Sequence, residues 1–326
     1  MIPEAAEKYI YYREPGIVLL YGDCRDILPL LEPETIQCCV TSPPYWGLRD
    51  YGISEQIGLE KMPDEYVGIM ISVFDSIKRV MKSDGTLWLN LGDSYTPQST
   101  HKCLGNRGGN YNQLARDVKD KRHIQTYGKP KDLVGIPWRV AFALQAAGWY
   151  LRSDIIWHKP NPMPESVTDR PTRAHEYIFL MSKAEKYYYD SEAIKEDAKS
   201  TDMKKFTDKG KDKKRGHSRR HAGFNGRYAE KLKIDGIPKT RNRRDVWTIA
   251  TKPYKGAHFA VFPPELIEPC ILAGTKEGDI VIDPFSGSST VGHVCKKFKR
   301  RYIGIELNKE YLELSPDRIG RQGILL

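Results

Sequence analysis

Cysteine is scarce in this chain of 326 residues: it has six, and no two stand in a Cys-x-x-Cys spacing. That argues against a zinc site and against a disulfide framework. Cys24, Cys38, Cys39, Cys103, Cys270 and Cys295 mostly sit in apolar runs and read as reduced core residues of a cytosolic protein. Long hydrophobic runs are also missing. No stretch approaches the ~20 apolar residues that a membrane span needs. The N-terminal region carries Glu4 and Glu7 and lacks the apolar core of a secretory signal. No internal repeat is present. What remains is 40% hydrophobic residues, enough to build a core, in a length that suits one large α/β domain with a smaller inserted one.

The most informative stretch is Thr41-Ser42-Pro43-Pro44-Tyr45. It follows the apolar, β-leaning run Ile36-Gln37-Cys38-Cys39-Val40, so it reads as the loop leaving the carboxyl end of a buried strand. Two prolines fix the backbone and remove two donors. A carbonyl, the Ser42 hydroxyl and the flat Tyr45 ring remain. Such a set can grip a planar, amino-bearing ring, with polar atoms on the amino group and the tyrosine on the face. An isolated Ser-Pro-Pro-Tyr would more simply be a proline-rich turn with a packed tyrosine. A second motif shifts the balance.

That motif is Val281-Ile282-Asp283-Pro284-Phe285-Ser286-Gly287-Ser288-Ser289-Thr290-Val291-Gly292, a strand, a tight loop of small residues and a helix start. The next strand, Tyr302-Ile303-Gly304-Ile305, ends in Glu306. A carboxylate about 20 residues after a glycine loop suits the two hydroxyls of a ribose. The loop is not Gly-x-Gly-x-x-Gly and has no Lys, and Asp283 would repel a pyrophosphate. A phosphate-free nucleoside bearing an ammonium group fits better, as S-adenosyl-L-methionine does.

With these motifs the chain resembles an amino-group DNA methyltransferase of the β arrangement. There the Ser-Pro-Pro-Tyr motif comes first, then the target-recognition region, then the cofactor motif. Leu20-Tyr21-Gly22-Asp23-Cys24, Gly85-Thr86-Leu87-Trp88-Leu89-Asn90-Leu91-Gly92-Asp93, Ile155-Ile156-Trp157-His158-Lys159-Pro160-Asn161 with Arg173-Ala174-His175-Glu176-Tyr177-Ile178, and Lys255-Gly256-Ala257-His258-Phe259 each resemble further segments of that family. The resemblance runs over about residues 17–180 and 252–317. It implies a Rossmann-like α/β methyltransferase fold with a circularly permuted motif order. The sheet is expected to be mostly parallel with an antiparallel edge, and to carry an inserted target-recognition region. The implied division is a catalytic half at residues 1–190, a basic recognition region at 191–250 and a cofactor-binding half at 251–326.

The implied catalytic residues are Ser42, Pro43, Pro44 and Tyr45. S-adenosyl-L-methionine is the implied cofactor, held by Asp23, Asp283, Phe285, Gly287, Ser288, Ser289 and Glu306, with Lys255, His258 and Phe259 closing over it; His258 is equally open to a structural role. Trp46 is open to packing beside the pocket or in the core. Cys270 lies in a run with helical apolar spacing and reads as core packing rather than as a nucleophile. No metal is required. A flipped-out base would stack on Tyr45 while Ser42 and the Pro43 carbonyl accept from its amino group. Family resemblance tilts the base toward cytosine N4, because serine at the first motif position more often goes with it; adenine N6 is the alternative. RNA or protein-glutamine methylation, or an inactive DNA-binding protein, fits the motif order and intact residues less well.

Charge is unevenly spread. The whole chain is +10, yet residues 199–244 alone hold 17 Lys and Arg against 5 Asp and Glu, a balance of +12, which leaves the rest at −2. The segments 150–157 and 174–181 are expected to pair as a hairpin at the antiparallel edge, and a basic block between that hairpin and the cofactor segment suits a polyanion. Lys213, Lys214, Arg215, Arg219, Arg220, Arg241, Arg243 and Arg244 are its candidate contacts to double-stranded DNA. The part from Phe206 to Gly226, poor in apolar residues, is expected to order on binding. Residues 95–131 form a second polar stretch, too long for a simple loop, read as a DNA-facing insertion or clamp, or else as a disordered excursion. A cognate restriction endonuclease is a further candidate partner, in a prokaryotic or phage-encoded cytoplasmic setting, and monomer and homodimer both stay open. Strands are expected near 17–21, 36–41, 85–91, 150–157, 174–181, 279–282 and 302–305. Helices are expected near 63–81, 137–147, 263–273, 289–297 and 308–318.

Overall fold

The computed structural model describes residues 2–48, 50–53, 55–96, 128–198, 239–251 and 262–320. Two compact units emerge. One comprises residues 1–189 with 245–326; the other comprises 190–244.

The larger unit is built on a nine-stranded sheet. In chain order its strands are β1 (Ile10–Glu14), β2 (Ile17–Tyr21), β3 (Ile36–Thr41), β4 (Met81–Leu91), β5 (Tyr150–His158) and β6 (His175–Ser182), then β9 (Val246–Thr248), β10 (Ile280–Asp283) and β11 (Arg301–Glu306). The spatial order is β1-β2-β11-β10-β3-β4-β6-β5-β9. Strands β2, β11, β10, β3 and β4 run parallel to one another. All six residues of β3 are buried, as expected of a parallel strand covered on both faces. Cys39, Leu87 and Leu89 join the core of the helix Pro63–Val80. On the opposite face a Cβ at Gly274, in the helix Pro264–Gly274, would come within 3.0 Å of Cys38 Sγ and 3.1 Å of Trp88 Nε1. That helix therefore lies directly against the sheet.

The helix Pro63–Val80 follows from its sequence. Pro63 opens it, Asp64 and Glu65 occupy its first turn, and Lys78 and Arg79 its last, each at the end its dipole favours. Its buried face is Tyr66, Met70, Val73, Phe74 and Ile77, spaced as one apolar stripe.

Every strand and long helix expected from the sequence is present. Three differences have physical reasons. β4 starts at Met81 rather than near 85, because Met81 pairs with Ile36 as soon as the helix ends. The β5–β6 pair is antiparallel as expected, but it is not the sheet edge: β9 pairs parallel to β5 outside it. At the opposite edge β1 adds antiparallel to β2. β1 alternates half-buried with exposed residues and β9 has only three residues, so neither carries a strong apolar signal.

Residues 97–127, most of the polar stretch, lie outside the described residues. Its two ends are joined: Tyr95 bridges Leu133, and Thr96 N–H donates to the Asp132 carbonyl at 2.9 Å. In the smaller unit β7 (Glu196–Asp197) pairs antiparallel with β8 (Thr240–Arg241). Among the described residues no helix is long and apolar enough to cross a membrane.

Candidate active site

Parallel strands place their carboxyl ends on one side of the sheet, and ligands of open α/β sheets bind where the strand order reverses. Here that point lies between β10 and β3, which lead by their helices to β11 on one side and β4 on the other. Asp283 ends β10, Thr41 ends β3, Glu306 ends β11, and Gly22-Asp23 follows β2. A pocket opens there. Asp23, Ser42, Pro44, Phe285, Gly287, Ser288 and Glu306 line it, with Tyr51, Ile57, Phe262, Asn308 and Tyr311. The sequence motifs, more than 200 residues apart, thus meet in one cavity.

The small-residue loop is locked by its own polar groups. Gly287 has φ +51°, a left-handed conformation that glycine adopts without strain, and its N–H donates to Glu306 Oε2 at 2.7 Å. The other oxygen of Glu306 accepts from Asn308 N–H at 2.7 Å. Burial nevertheless raises the Glu306 pKa, against the pull of these backbone donors. Ser289, also left-handed at φ +60°, precedes the helix Thr290–Lys297. This is why the helix starts one residue later than the sequence suggests. Its hydroxyl lies 2.9 Å from both Ser286 Oγ and Ser315 Oγ.

Asp283 and Ser289 are the two described cofactor candidates beneath the pocket rather than on its wall, with exposures of 1% and 0%. The Asp283 carboxylate accepts from Thr41 Oγ1 at 2.6 Å and from Phe285 N–H at 3.1 Å. It therefore ties the end of the Ser-Pro-Pro-Tyr strand to the start of the cofactor loop. Burial pushes its pKa up to about 7. Asp23 does reach the pocket. Burial alone would raise its pKa, but its hydrogen bonds from Arg25 hold it below the usual carboxylate range. Arg25 binds both Asp23 oxygens and also donates to the Glu55 carbonyl at 2.9 Å.

On the catalytic side, Pro43 is buried and the Pro44 carbonyl accepts from Tyr66 Oη at 2.9 Å. Tyr45 is packed against the backbone just past the end of β4: a Cβ at Gly92 would come within 2.6 Å of its ring. Its hydroxyl donates to Glu176 Oε2 at 2.9 Å, and Ser42 Oγ donates to it at 3.2 Å. Burial, then the Glu176 charge, raises the Tyr45 pKa well above its ordinary value. Trp46 resolves as core, 8% exposed, its indole N–H on the Glu60 carbonyl at 2.9 Å. Cys270 is fully buried in its helix.

Glu176, Asn90 and Lys159 fall in the family-like segments but receive no role from sequence, and neither does Arg25. Glu176 had a signal: it is a charge near the start of the apolar strand β6. Tyr51, Ile57 and Tyr311 had none, because only the fold brings them to the wall. Lys255, His258 and Phe259 lie outside the described residues, although Phe262 just beyond them lines the pocket. Lys213, Lys214, Arg215, Arg219 and Arg220 also lie outside. Arg241 and Arg244 both pair through Nε with Glu196 Oε1, at 2.8 and 2.7 Å. Arg243 follows β8 within the same unit.

The donor set fits S-adenosyl-L-methionine. Three acidic residues, Asp23, Glu55 and Glu306, lie on the wall and Asp283 lies beneath it, aromatic rings flank them, and no Lys or Arg is on the wall among the described residues. Such a site suits a cationic nucleoside and not a phosphate.

Comparison with known proteins agrees. Residues 36–317 match the family model described as DNA methylase. The chain is 47% identical to the type II methyltransferase M.Cfr9I of Citrobacter freundii over 97% of its length and 93% of that protein. It is 46% identical to M.SmaI of Serratia marcescens, over 93% of its length and 91% of that protein. Its fold is similar to that of PvuII DNA methyltransferase (cytosine-N4-specific), with TM-score 0.61 and 20% identity over 95% of this chain and 88% of that one. The chain belongs to the DNA methylase family, and it is an S-adenosylmethionine-dependent DNA methyltransferase of the class that modifies cytosine N4 or adenine N6.

Proposed function

We propose that this protein methylates the exocyclic N4 of cytosine in double-stranded DNA, at a specific site, as the modification partner of a type II restriction endonuclease. The observation that carries the reading is Ser42 beside Tyr45 at the carboxyl end of β3, on the wall of a pocket that also presents Asp23 and Glu306. When bound, S-adenosylmethionine supplies an electrophilic methyl group. The chain's residues do the rest. Glu306 would accept from the ribose hydroxyls and Asp23 would help hold the cofactor; Lys255, His258 and Phe259, outside the described residues, are the candidates to close over it. Asp283 and Ser289 act from below by holding the loop of Phe285, Gly287 and Ser288 in shape.

The target base is flipped out of the duplex, at a cost of about a few kcal/mol, and stacks on Tyr45. Ser42 Oγ and the Pro43 carbonyl accept from its amino group and aim the nitrogen lone pair for direct in-line attack. Proximity and orientation carry much of the rate. The amino nitrogen is acidic once methylated, so its proton leaves without a strong base. Serine at the first motif position supports cytosine over adenine. Mass spectrometry of nucleosides from DNA incubated with methyl-labelled cofactor should show N4-methylcytosine. Label in N6-methyladenine instead would overturn the choice of base and leave fold and cofactor intact.

The basic segment 191–250 is the proposed recognition region. If about six of its side chains meet phosphates, log affinity falls with log salt at a slope near −5. Neutralising Lys213, Lys214 and Arg215 together should weaken DNA binding and flatten that slope by about 3. A slope unchanged in the triple variant, measured by titration across salt concentrations, would make the block a bystander.

A further inference from the structure

We propose that Glu176 fixes the direction of the hydrogen-bond chain through Tyr45 to Ser42, and thereby makes the Ser42 oxygen an acceptor toward the target amino group. This rests on the reading that Ser42 meets that group. A serine hydroxyl can donate or accept, and a site for an amino group needs the second. Nothing in Ser42 itself decides between them.

The surroundings do decide. Glu176 stands near the start of β6, and its Oε2 lies 2.9 Å from Tyr45 Oη. An ionised carboxylate only accepts, so Tyr45 commits its single hydrogen to it. The competing acceptor, Asn90 Oδ1, is farther, at 3.2 Å. The amide nitrogen of Asn90 reinforces the arrangement by donating to the same Glu176 oxygen at 3.2 Å and to the Tyr177 carbonyl at 3.0 Å. Lys159 occupies the other Glu176 oxygen, and its ammonium sits 4.3 Å from the centre of the Trp157 ring. With its hydrogen committed, the Tyr45 oxygen is left to accept, and Ser42 Oγ donates into it at 3.2 Å. Ser42 has then spent its only hydrogen, and lone pairs are what it offers the pocket it lines. Bonds aligned in one direction also polarise one another. The ring cannot drift out of this register easily, because it rests on Gly92, where a Cβ would intrude to 2.6 Å. Glu176 is thus a positioning residue that acts through Tyr45.

Glutamine at 176 has the same shape but one oxygen. Lys159 claims that oxygen, which turns the amide NH2 toward Tyr45 and reverses the chain. The test is single-turnover methylation of DNA by the full chain with labelled cofactor, for wild type, Glu176→Gln, Tyr45→Phe and the double variant. Each single variant should lose on the order of tenfold to a hundredfold in rate, with cofactor affinity unchanged. The double variant should fall no further than the slower single one, because both break the same chain. Losses that multiply, or either single variant at the wild-type rate, would overturn the proposal. Tyr45→Phe keeps the ring on Gly92, so it carries the test even where Glu176→Gln fails to fold. Wild-type protein that binds cofactor yet labels no amino group of DNA would sink the underlying reading of Ser42 instead.

Discussion

Tyr45→Ala should lower the methylation rate by on the order of a thousandfold while the dissociation constant for S-adenosylmethionine stays within about twofold. Two losses combine. A base stacked on an aromatic face gains about 1–3 kcal/mol, and the alanine variant forfeits it. The Tyr45 hydroxyl also receives the Ser42 hydrogen at 3.2 Å, so its removal frees Ser42 to rotate, and a small misplacement of a reacting group can cost about a hundredfold. Cofactor binding is spared because Tyr45 is not among the residues lining the pocket, whereas Ser42 and Pro44 are. Single-turnover kinetics and calorimetry separate the two effects. A variant that loses cofactor binding would place Tyr45 on the wrong side of the site.

The different parts of this site were legible to different degrees. The motif loops could be read because they need residues that serve nothing else well. Two prolines after a buried strand, and a glycine loop between Asp283 and a helix, are local constraints written in consecutive residues. Strands β3, β10 and β11 announced themselves through mostly apolar runs, the signature of a strand covered on both faces. What could not be read was set by neighbours distant in sequence. Asp283 looked like a wall residue, and only the pairing of β10 with β3 puts Thr41 over its carboxylate. Asp23 reads in sequence as a cofactor ligand, and only the fold shows Arg25 turned back onto its carboxylate. Glu176 sits 131 residues from Tyr45, and no spacing rule links them until β4 brings Gly92 and Asn90 between β3 and β6.

That rearranged view of Asp283 yields the other large effect. Its carboxylate is buried, its pKa is raised to about 7, and it ties Thr41 Oγ1 to Phe285 N–H directly under the pocket. Asp283→Ala strands the buried Thr41 hydroxyl, at about 1–3 kcal/mol, takes the acceptor from the half-buried Phe285 N–H, and loosens the loop that carries Phe285, Gly287 and Ser288. Cofactor affinity should fall by about tenfold to a hundredfold.

The sign of the pH dependence follows from the same carboxyl. The folded-state pKa lies above the ordinary carboxylate value, so the neutral form's contribution to stability is complete in acid and is lost as pH rises through about 7. A cationic ligand in the pocket above favours the ionised form. Affinity for S-adenosylmethionine should therefore rise between about pH 6 and pH 8, with proton release on binding at the lower end. A neutral-sulfur analogue should show a shallower rise, and Asp283→Asn should flatten the profile for both. Calorimetry in buffers of different ionisation enthalpy counts the protons directly. Undiminished binding by Asp283→Ala would remove Asp283 from the cofactor site. An affinity independent of pH in the wild type would mean that its carboxyl does not change charge when the pocket fills.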